Sequence, residues 1–326
     1  MALVFCLRCN RAAISTVFAF TTVASAQTYP VKPIRVISEY GAGAGGDIFF
    51  RPLATQLAVA TGQQWIVENR PGAGALVAVR AAMGAPPDGY TLLLASQNVP
   101  VTRRYLSRSK PIDPVIDLTP ISALWRTTLM IASHPSFPTK SLKDLIAYAR
   151  ANPGKVSYGT SGIGTQAHFA GASLAVLSGA TLLHVPYSNN RQVLEAVNGD
   201  VPLTINIVSP VVPHVRSGRL RALAVAGYKR LDILPDVPMV SEVLPAFEPP
   251  PTWSGLFAPA GLPRDIVVRL NAAIAKAVAM PELRAKGTAD GFELIGNTPE
   301  EFAAQLKRDI EVAGRLFKAA KIEPTD

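Results

Sequence analysis

The sequence predicts an α/β protein of two domains with a ligand cleft between them, and three observations carry that expectation. Strand-like and helix-like stretches alternate over residues 33–95 in β-α-β-α-β order, which implies a parallel sheet with helices on its faces. The alternation lapses in a Pro- and turn-rich passage and then restarts as a second β/α series. Each series holds a Gly-rich loop between a strand and a helix, "GAGAGGD" at residues 41–47 and "GTSGIGTQAH" at residues 159–168.

The chain of 326 residues is 48% hydrophobic and 17% charged, a globular composition with room for two such domains. Its first 26 residues read differently. "MALVFCLRCNR" carries Arg8 and Arg11 and no acid, "AAISTVFAFTTV" is an apolar run, and "ASA" ends at Ala26. These are the three regions of a secretory signal peptide. The run is short for a membrane span, which takes about 20 residues, and no later stretch is long and apolar enough. Both cysteines, Cys6 and Cys9, fall in this leader. The remaining chain therefore has no disulfide, thiol nucleophile or thiolate metal site, and a bacterial periplasm is the expected location. The formal charge of +9 drops by the two leader arginines to +7, with basic residues scattered along the chain. No basic-aromatic stripe points to nucleic acid.

The elements follow in order. "PIRVISEY" reads as a strand. "DIFFRPLATQLAVATG" reads as a helix with Asp47 as N-cap and Gly62 as its stop. "QWIVENR", "PGAGALVAVRAAMGAPPDG" and "YTLLLASQ" supply strand, helix and strand. "ISALWRTTLMIASHP" is expected to be a long strand running from one domain into the other. "SLKDLIAYARANPG" is a helix capped by Ser141. "KVSYGTSGIG", "TQAHFAGASLAVLSG", "ATLLHVPY", "NRQVLEAVNGD" and "VPLTINIVSP" continue the alternation, then "VVPHVRSGRL" is a short helix and "RALAVAG" a strand. "WSGLFAPAG" is strand-like, and the tail is helical, with a capping box Thr298–Glu301 opening the last helix. The C-terminal helices are expected to fold back onto the first domain. The division expected is a leader at 1–26, domain 1 at 27–126 plus 250–326, and domain 2 at 127–249.

Gly41, Gly43 and Gly46 satisfy G-x-G-x-x-G, and Glu68 stands where a ribose-binding acid would. Asp47 speaks against a dinucleotide, because a carboxylate in the first helical turn would repel pyrophosphate. Export does too, since nicotinamide cofactors are mainly cytosolic. The second loop offers the better explanation. Both loops put backbone N–H groups and a helix N-terminus at the carboxyl end of a strand, an arrangement that binds anions and lies where open α/β sheets take ligands. One such loop in each domain makes a clamp.

No catalytic pattern competes with this reading. Ser161 in "GTSGI" fails G-x-S-x-G because Ile163 holds the last place. The four histidines stand apart without metal spacing. The candidate site is therefore sought at the two loops, with Gly43, Gly45, Gly46 and Asp47 in the first. His168 either faces the cleft or supports its loop. Tyr40 either lines the cleft or packs under the loop. Tyr187 ends a strand on the same side. Ser96 and Gln97 end the third strand within reach of the cleft. Asn206 is polar in an apolar strand and needs a partner if buried. Trp253 reads as hinge or core ahead of a ligand wall, and Glu68 with Arg70 as structural.

At these residues the chain resembles the periplasmic solute-binding receptors of tripartite tricarboxylate transporters, the Bug receptors. The resemblance runs from "YPVKPIRVIS" through "VENRPGAGALVA", "PPDGYTLLLAS", "LKDLIAYARANPGKVSYGTSGIGTQAHFAG" and "HVPY" to "PELRAKGTADGFELIGNTPEEFAAQL". It implies a type II periplasmic-binding-protein fold that closes like a Venus flytrap, and a small carboxylate ligand held mostly by backbone groups of the two loops. It implies membrane subunits of a tripartite transporter as partners, a monomer, no cofactor, no metal and no catalysis. Asp47 matches the acid that faces the ligand's distal polar part, and Ser161, Gly162, Gly164, Thr165 and His168 match the second loop. The chain departs from the family in lacking a proline in the first loop, in having Asn206 where an Asp is common, and in Tyr187-Ser188-Asn189 where Y-K-G is common. A sensor feeding a signalling partner, or a secreted NAD-binding oxidoreductase, remain the alternatives.

Overall fold

The computed structural model describes residues 29–106, 113, 116–187, 191–320 and 324. The leader with its cysteines, and Ser188 and Asn189, lie outside the described residues. Among the described residues no helix is long and apolar enough to cross a membrane.

The first series runs β1 (Ile34–Ser38), α1 (Gly45–Thr61), β2 (Trp65–Asn69), α2 (Leu76–Met83), β3 (Thr91–Ser96), a short α3 (Arg103–Leu106) and β4 (Leu118–Thr127). The second runs β5 (Leu129–Ser133), α4 (Leu142–Ala151), β6 (Val156–Thr160), α5 (Gln166–Ser178), β7 (Leu182–Pro186), α6 (Gln192–Asn198), β8 (Leu203–Ile207), α7 (Val208–Arg216), β9 (Arg221–Ala226) and α8 (Val240–Val243). The chain then returns through β10 (Trp253–Pro259), α9 (Arg264–Val278), α10 (Pro281–Asp290), β11 (Phe292–Leu294) and α11 (Pro299–Ala320).

Two sheets result, ordered β11-β4-β10-β3-β1-β2 and β7-β6-β8-β5-β9. They share one plan. In the first, β2, β1 and β3 are parallel and β10 lies antiparallel beside β3. In the second, β7, β6 and β8 are parallel and β5 lies antiparallel beside β8. In each sheet the antiparallel neighbour is the strand that has just crossed from the other unit. The long strand expected over residues 121–135 is thus two strands, parted at Thr128 and hydrogen-bonded into different sheets.

The crossing segments are stitched together. Thr127 donates its backbone N–H to the Thr252 carbonyl at 3.0 Å, and the Thr252 hydroxyl donates to the Thr127 carbonyl.

Side-chain alternation fills a core on each face of each sheet. Ile34, Val36, Leu92 and Leu94 face Phe50 of α1 and Ile274 of α9. The alternate residues Ile37, Leu93 and Ala95 face Val79 of α2 and Phe302 and Leu306 of α11. Leu129 and Ile131 pack under Leu145 of α4 and Leu174 of α5, and Met130 and Ala132 under Val193 of α6 and Val211 of α7. Each such aliphatic side chain contributes about 1.5–3 kcal/mol on full burial. The C-terminal helices do return to the first sheet, and the end of α11 goes further. Phe317 lies 4.6 Å, ring centre to ring centre, from Phe169 of α5.

Local signals read from the sequence hold where they are chemical. Ser141 Oγ accepts the Asp144 N–H, and Thr298 and Glu301 bond reciprocally. Gly62 closes α1 in the left-handed conformation. Asp47 is a correction: the N-cap of α1 is Ala44, and Asp47 stands three residues inside it. The strand expected over 201–210 ends at Ile207, where α7 begins. β11 has no counterpart among the expected elements. It is three residues long and forms by pairing with the edge of β4.

Candidate ligand cleft between the two glycine loops

The two loops have one construction. Gly43 (φ +77°) and Gly164 (φ +73°) adopt the left-handed conformation that glycine tolerates. Each is followed by an extended N-cap, Ala44 in the first loop and Thr165 in the second. Each donates its N–H to a side chain four residues on. Gly43 donates to Asp47 Oδ2 at 2.9 Å, and Gly164 to His168 Nδ1 at 3.1 Å. The turn therefore folds back on the helix start. The next N–H groups, of Gly45 and Gly46 in one loop and Gln166 and Ala167 in the other, belong to the helix's first turn. They have no intrahelical acceptor.

Two cavities adjoin the loops, one between them and one beside the second. One of about 250 Å³ is lined by Glu39, Tyr40, Ala44, Gly45, Gly46, Ser96 and Asn98 on the side of the first sheet. Gln166 and Ile207 line it from the second, and Thr127 and Thr252 from the crossing. The other, of about 300 Å³, is lined by Glu39, Tyr40, Asn98, Thr102 and Arg103 on one side and Ile163, Gly164 and Thr165 on the other. A cavity of about 190 Å³ beside Thr128, Lys229 and Arg284 touches neither loop.

The expected site residues divide accordingly. Gly45 and Gly46 line the smaller cavity, Gly164 and Thr165 the larger, and Tyr40 both. Tyr40 also packs under its loop. A Cβ on Gly46 would stand 2.6 Å from the Tyr40 ring, and the Tyr40 hydroxyl pairs with Ser254 Oγ at 2.5 Å. Ser96 lines the smaller cavity and is buried.

Others serve the loops themselves. Asp47 is 2% exposed and its carboxylate is fully engaged. Besides Gly43, it accepts from Arg51 Nε at 3.0 Å and from Asn69 Nδ2 at 2.8 Å. Burial raises its carboxyl, but the Arg51, Asn69 and Gly43 donors outweigh that and hold it below the usual carboxylate range. In this conformation Asp47 braces the loop from beneath, where the resemblance implies a group facing the ligand. Thr165 donates its hydroxyl to the Gly162 carbonyl at 2.8 Å and accepts from the His168 N–H. His168 is the loop-supporting alternative: its ring stacks on His184 at 3.8 Å and lines neither cavity. Burial lowers the pKa of His168, and burial plus the neighbouring His168 lowers His184 to about 4. Both rings are neutral near neutral pH, and Nδ1 of His168 is free to accept.

The remaining expectations, Trp253 apart, fall outside the cavities. Gln97 is buried, accepts from the Thr102 hydroxyl at 2.7 Å and donates to Asn98 at 2.8 Å. It holds the turn after β3 and does not reach the cleft. Ser161 is exposed at the loop's edge, and Gly162 N–H is bound to Thr160 Oγ1. Tyr187 stands over Gly159, and Asn206 accepts from the adjacent Ile207 N–H at 2.7 Å. Ile207 lines the smaller cavity in its place. Trp253 is buried core whose indole N–H donates to Asp309, and it also forms part of the wall of the smaller cavity. Glu68 pairs with Arg70 and Arg35, as a structural role requires.

Sequence reasoning missed Glu39. It follows β1 directly and lines both cavities. The available signal was position: an acid at the carboxyl end of a parallel strand, beside a Gly loop, lies where α/β sheets bind ligands.

Comparison with known proteins follows the same lines. A family model described as the tripartite tricarboxylate transporter family receptor matches residues 49–322. Protein BugT of Bordetella pertussis is 34% identical over 278 residues, covering 84% of this chain and 83% of that protein. A structure of an R. palustris protein with adipate superposes with TM-score 0.81 at 28% identity, over 91% of this chain and 100% of the other. MatC from Rhodopseudomonas palustris with bound malate gives TM-score 0.75 at 26% identity, over 88% and 99%.

Proposed function

The chain belongs to the tripartite tricarboxylate transporter receptor family, and on that premise we propose that it captures a small carboxylate between its two glycine loops in the periplasm and presents it to the membrane subunits of a tripartite transporter. One observation carries the reading. Two helix N-termini of matched construction meet at the smaller cavity, Ala44, Gly45 and Gly46 from one sheet and Gln166 from the other, and the second helix start also borders the larger cavity. A carboxylate satisfies orphan N–H groups from both at once and gains from both helix dipoles.

The division at 27–126 plus 250–326 and 127–249 supplies the motion. A ligand that contacts both loops favours whichever arrangement brings them together, and closure follows from that differential contact. The stitched crossing at Thr127 and Thr252 is the natural hinge. The related structures with adipate and malate support a carboxylate as the cargo. The site acts by binding alone, as expected of a receptor family.

A thermal-shift panel of adipate, malate, succinate, benzoate and citrate, with NAD beside them, tests the reading. A carboxylate that raises the melting temperature in proportion to the logarithm of its concentration supports it. Stabilisation by NAD alone would overturn it.

A further inference from the structure

Among the described residues, Glu39 is the only carboxylate lining either cavity beside the loops. Its two oxygens are placed differently. Oε1 accepts the Ser96 backbone N–H at 2.8 Å. Oε2 is shut off from water and has no hydrogen-bond partner. A negative charge left on such an oxygen is costly, and a proton on it removes the charge.

Among the described residues no neighbouring cation acts on Glu39 as a paired counter-charge. The Tyr40 hydroxyl pairs with Ser254, and burial raises its pKa, so it stays neutral. The Asn98 side-chain carbonyl accepts from Gln97, and the Thr102 hydroxyl donates to Gln97. Arg103, which shares the larger cavity, donates to the Gly74 carbonyl. From the second loop, the Thr165 hydroxyl donates to Gly162. His168 and His184 sit outside both cavities. Burial pushes the Glu39 carboxyl up to about 7, against the lowering effect of the Ser96 hydroxyl and amide.

An anion held by the loop N–H groups enters the cavities that Glu39 borders. Two ionised carboxylates in a dry site repel, whereas a pair sharing one proton makes a strong charge-assisted hydrogen bond. We propose that Glu39 is a ligand-binding residue that joins the complex as a neutral carboxylic acid, its O–H turning from the buried position of Oε2 to donate to the bound carboxylate, so that each anion carries one proton into the site. The inference rests on the carboxylate-receptor reading above. The proton comes from solvent and no covalent bond changes. The selected class is then a carboxylate with an acceptor oxygen at that point. A ligand presenting an ammonium group there is disfavoured, because ammonium calls for Glu39 in its ionised form.

Calorimetry with the tightest binder of the panel tests this between about pH 6.5 and 9, where most of the panel is fully ionised. Titrations in buffers of different ionisation heat count the protons taken up. The wild-type protein is expected to take up close to one proton per ligand in the upper part of that range, and to lose affinity about tenfold per pH unit there. Glu39→Gln keeps the shape and a permanent donor, so its affinity stays level with pH and its proton uptake vanishes. Carboxylate binding without proton uptake and with level affinity in the wild type overturns the inference and leaves the receptor reading standing. Tighter binding of glutamate than of its unsubstituted analogue glutarate, with proton release, overturns it as well. If no carboxylate binds either protein at any pH, the receptor reading falls and this inference with it.

Discussion

Asp47 and His168 hold equivalent positions in two different loops: each accepts, from four residues on, the N–H of a left-handed glycine. One acceptor is a carboxylate with a low pKa and the other a neutral imidazole. The equivalence follows from the sheets. β1 and β6 are the middle strands of the two parallel sets, and each leads through its loop into the helix that follows. The same turn solves the same problem twice, with different chemistry at the third helical residue.

Asp47→Ala is therefore expected to act on the loop before it acts on any ligand. It leaves the Gly43 N–H, Arg51 Nε and one Asn69 Nδ2 hydrogen without their acceptor, while Arg51 keeps Asn69 Oδ1 and Asn69 keeps the Tyr40 carbonyl. A loss of about 1–3 kcal/mol in stability should follow, read as a lower denaturant midpoint in the ligand-free protein, with weaker carboxylate binding on top. Asp47→Asn, which keeps one acceptor oxygen, should lose less. Unchanged ligand-free stability in Asp47→Ala would refute the bracing role.

What the sequence made legible was local or periodic. The β/α alternation, the Ser141 and Thr298 caps, the Gly62 stop and both glycine loops are all written in contiguous residues. What it left out depends on contacts across the fold. Thr252 is one of several small polar residues in a Pro-rich stretch, and only the exchange of β5 and β10 brings it to Thr127. Gln97 ends a strand pointing at the cleft, yet the turn that follows folds it inward against Thr102. Glu39 reads as the polar end of a strand, and its significance lies in the cavities around it. Asp47 was legible as important, but its partner Asn69 is 22 residues away and reached only through β2.

The second loop should be acid-sensitive. Protonating His168 at Nδ1 removes the acceptor of the Gly164 N–H. Both stacked histidines have pKa values below the ordinary 6.5, so the unfolded chain binds more protons than the folded one between about pH 6.5 and 4. Stability then falls as pH drops through that window. The rings are only half buried, so the effect is on the order of 1 kcal/mol after allowance for screening. His168→Gln offers Gly164 a non-titrating acceptor. Its denaturant midpoint should fall less than the wild type's between pH 7 and 4, and equal slopes for the two proteins would argue against the coupling.

The crossing offers a test of closure that can be read in the ligand-free protein. Thr252→Val removes the hydroxyl that bonds the Thr127 carbonyl while keeping the β-branched shape. The backbone bond from Thr127 N–H to Thr252 remains. Stability should drop by about 1 kcal/mol. The two units should also reorient more freely, seen as a larger radius of gyration in ligand-free scattering that contracts when carboxylate is added. Identical scattering for variant and wild type would place the hinge elsewhere.

Gly45 and Gly46 separate binding from folding most cleanly, because they are adjacent, both helical and both line the smaller cavity. A Cβ on Gly45 meets nothing within 4 Å, so Gly45→Ala costs the fold nothing and replaces a poor helix former with a good one. Its ligand-free melting temperature should hold or rise slightly. The added methyl nevertheless stands on a residue whose N–H is proposed to meet the anion. A Cβ on Gly46 would lie 2.6 Å from the Tyr40 ring. Tyr40 would have to move, its bond to Ser254 would break, and overpacking of this kind costs about 1–3 kcal/mol. Gly46→Ala should therefore lose both stability and affinity, while Gly45→Ala loses affinity alone, by tenfold or more if the methyl displaces a carboxylate oxygen worth about 1.4 kcal/mol. Full affinity in a stable Gly45→Ala protein would show that the ligand does not approach the first loop's helix N-terminus.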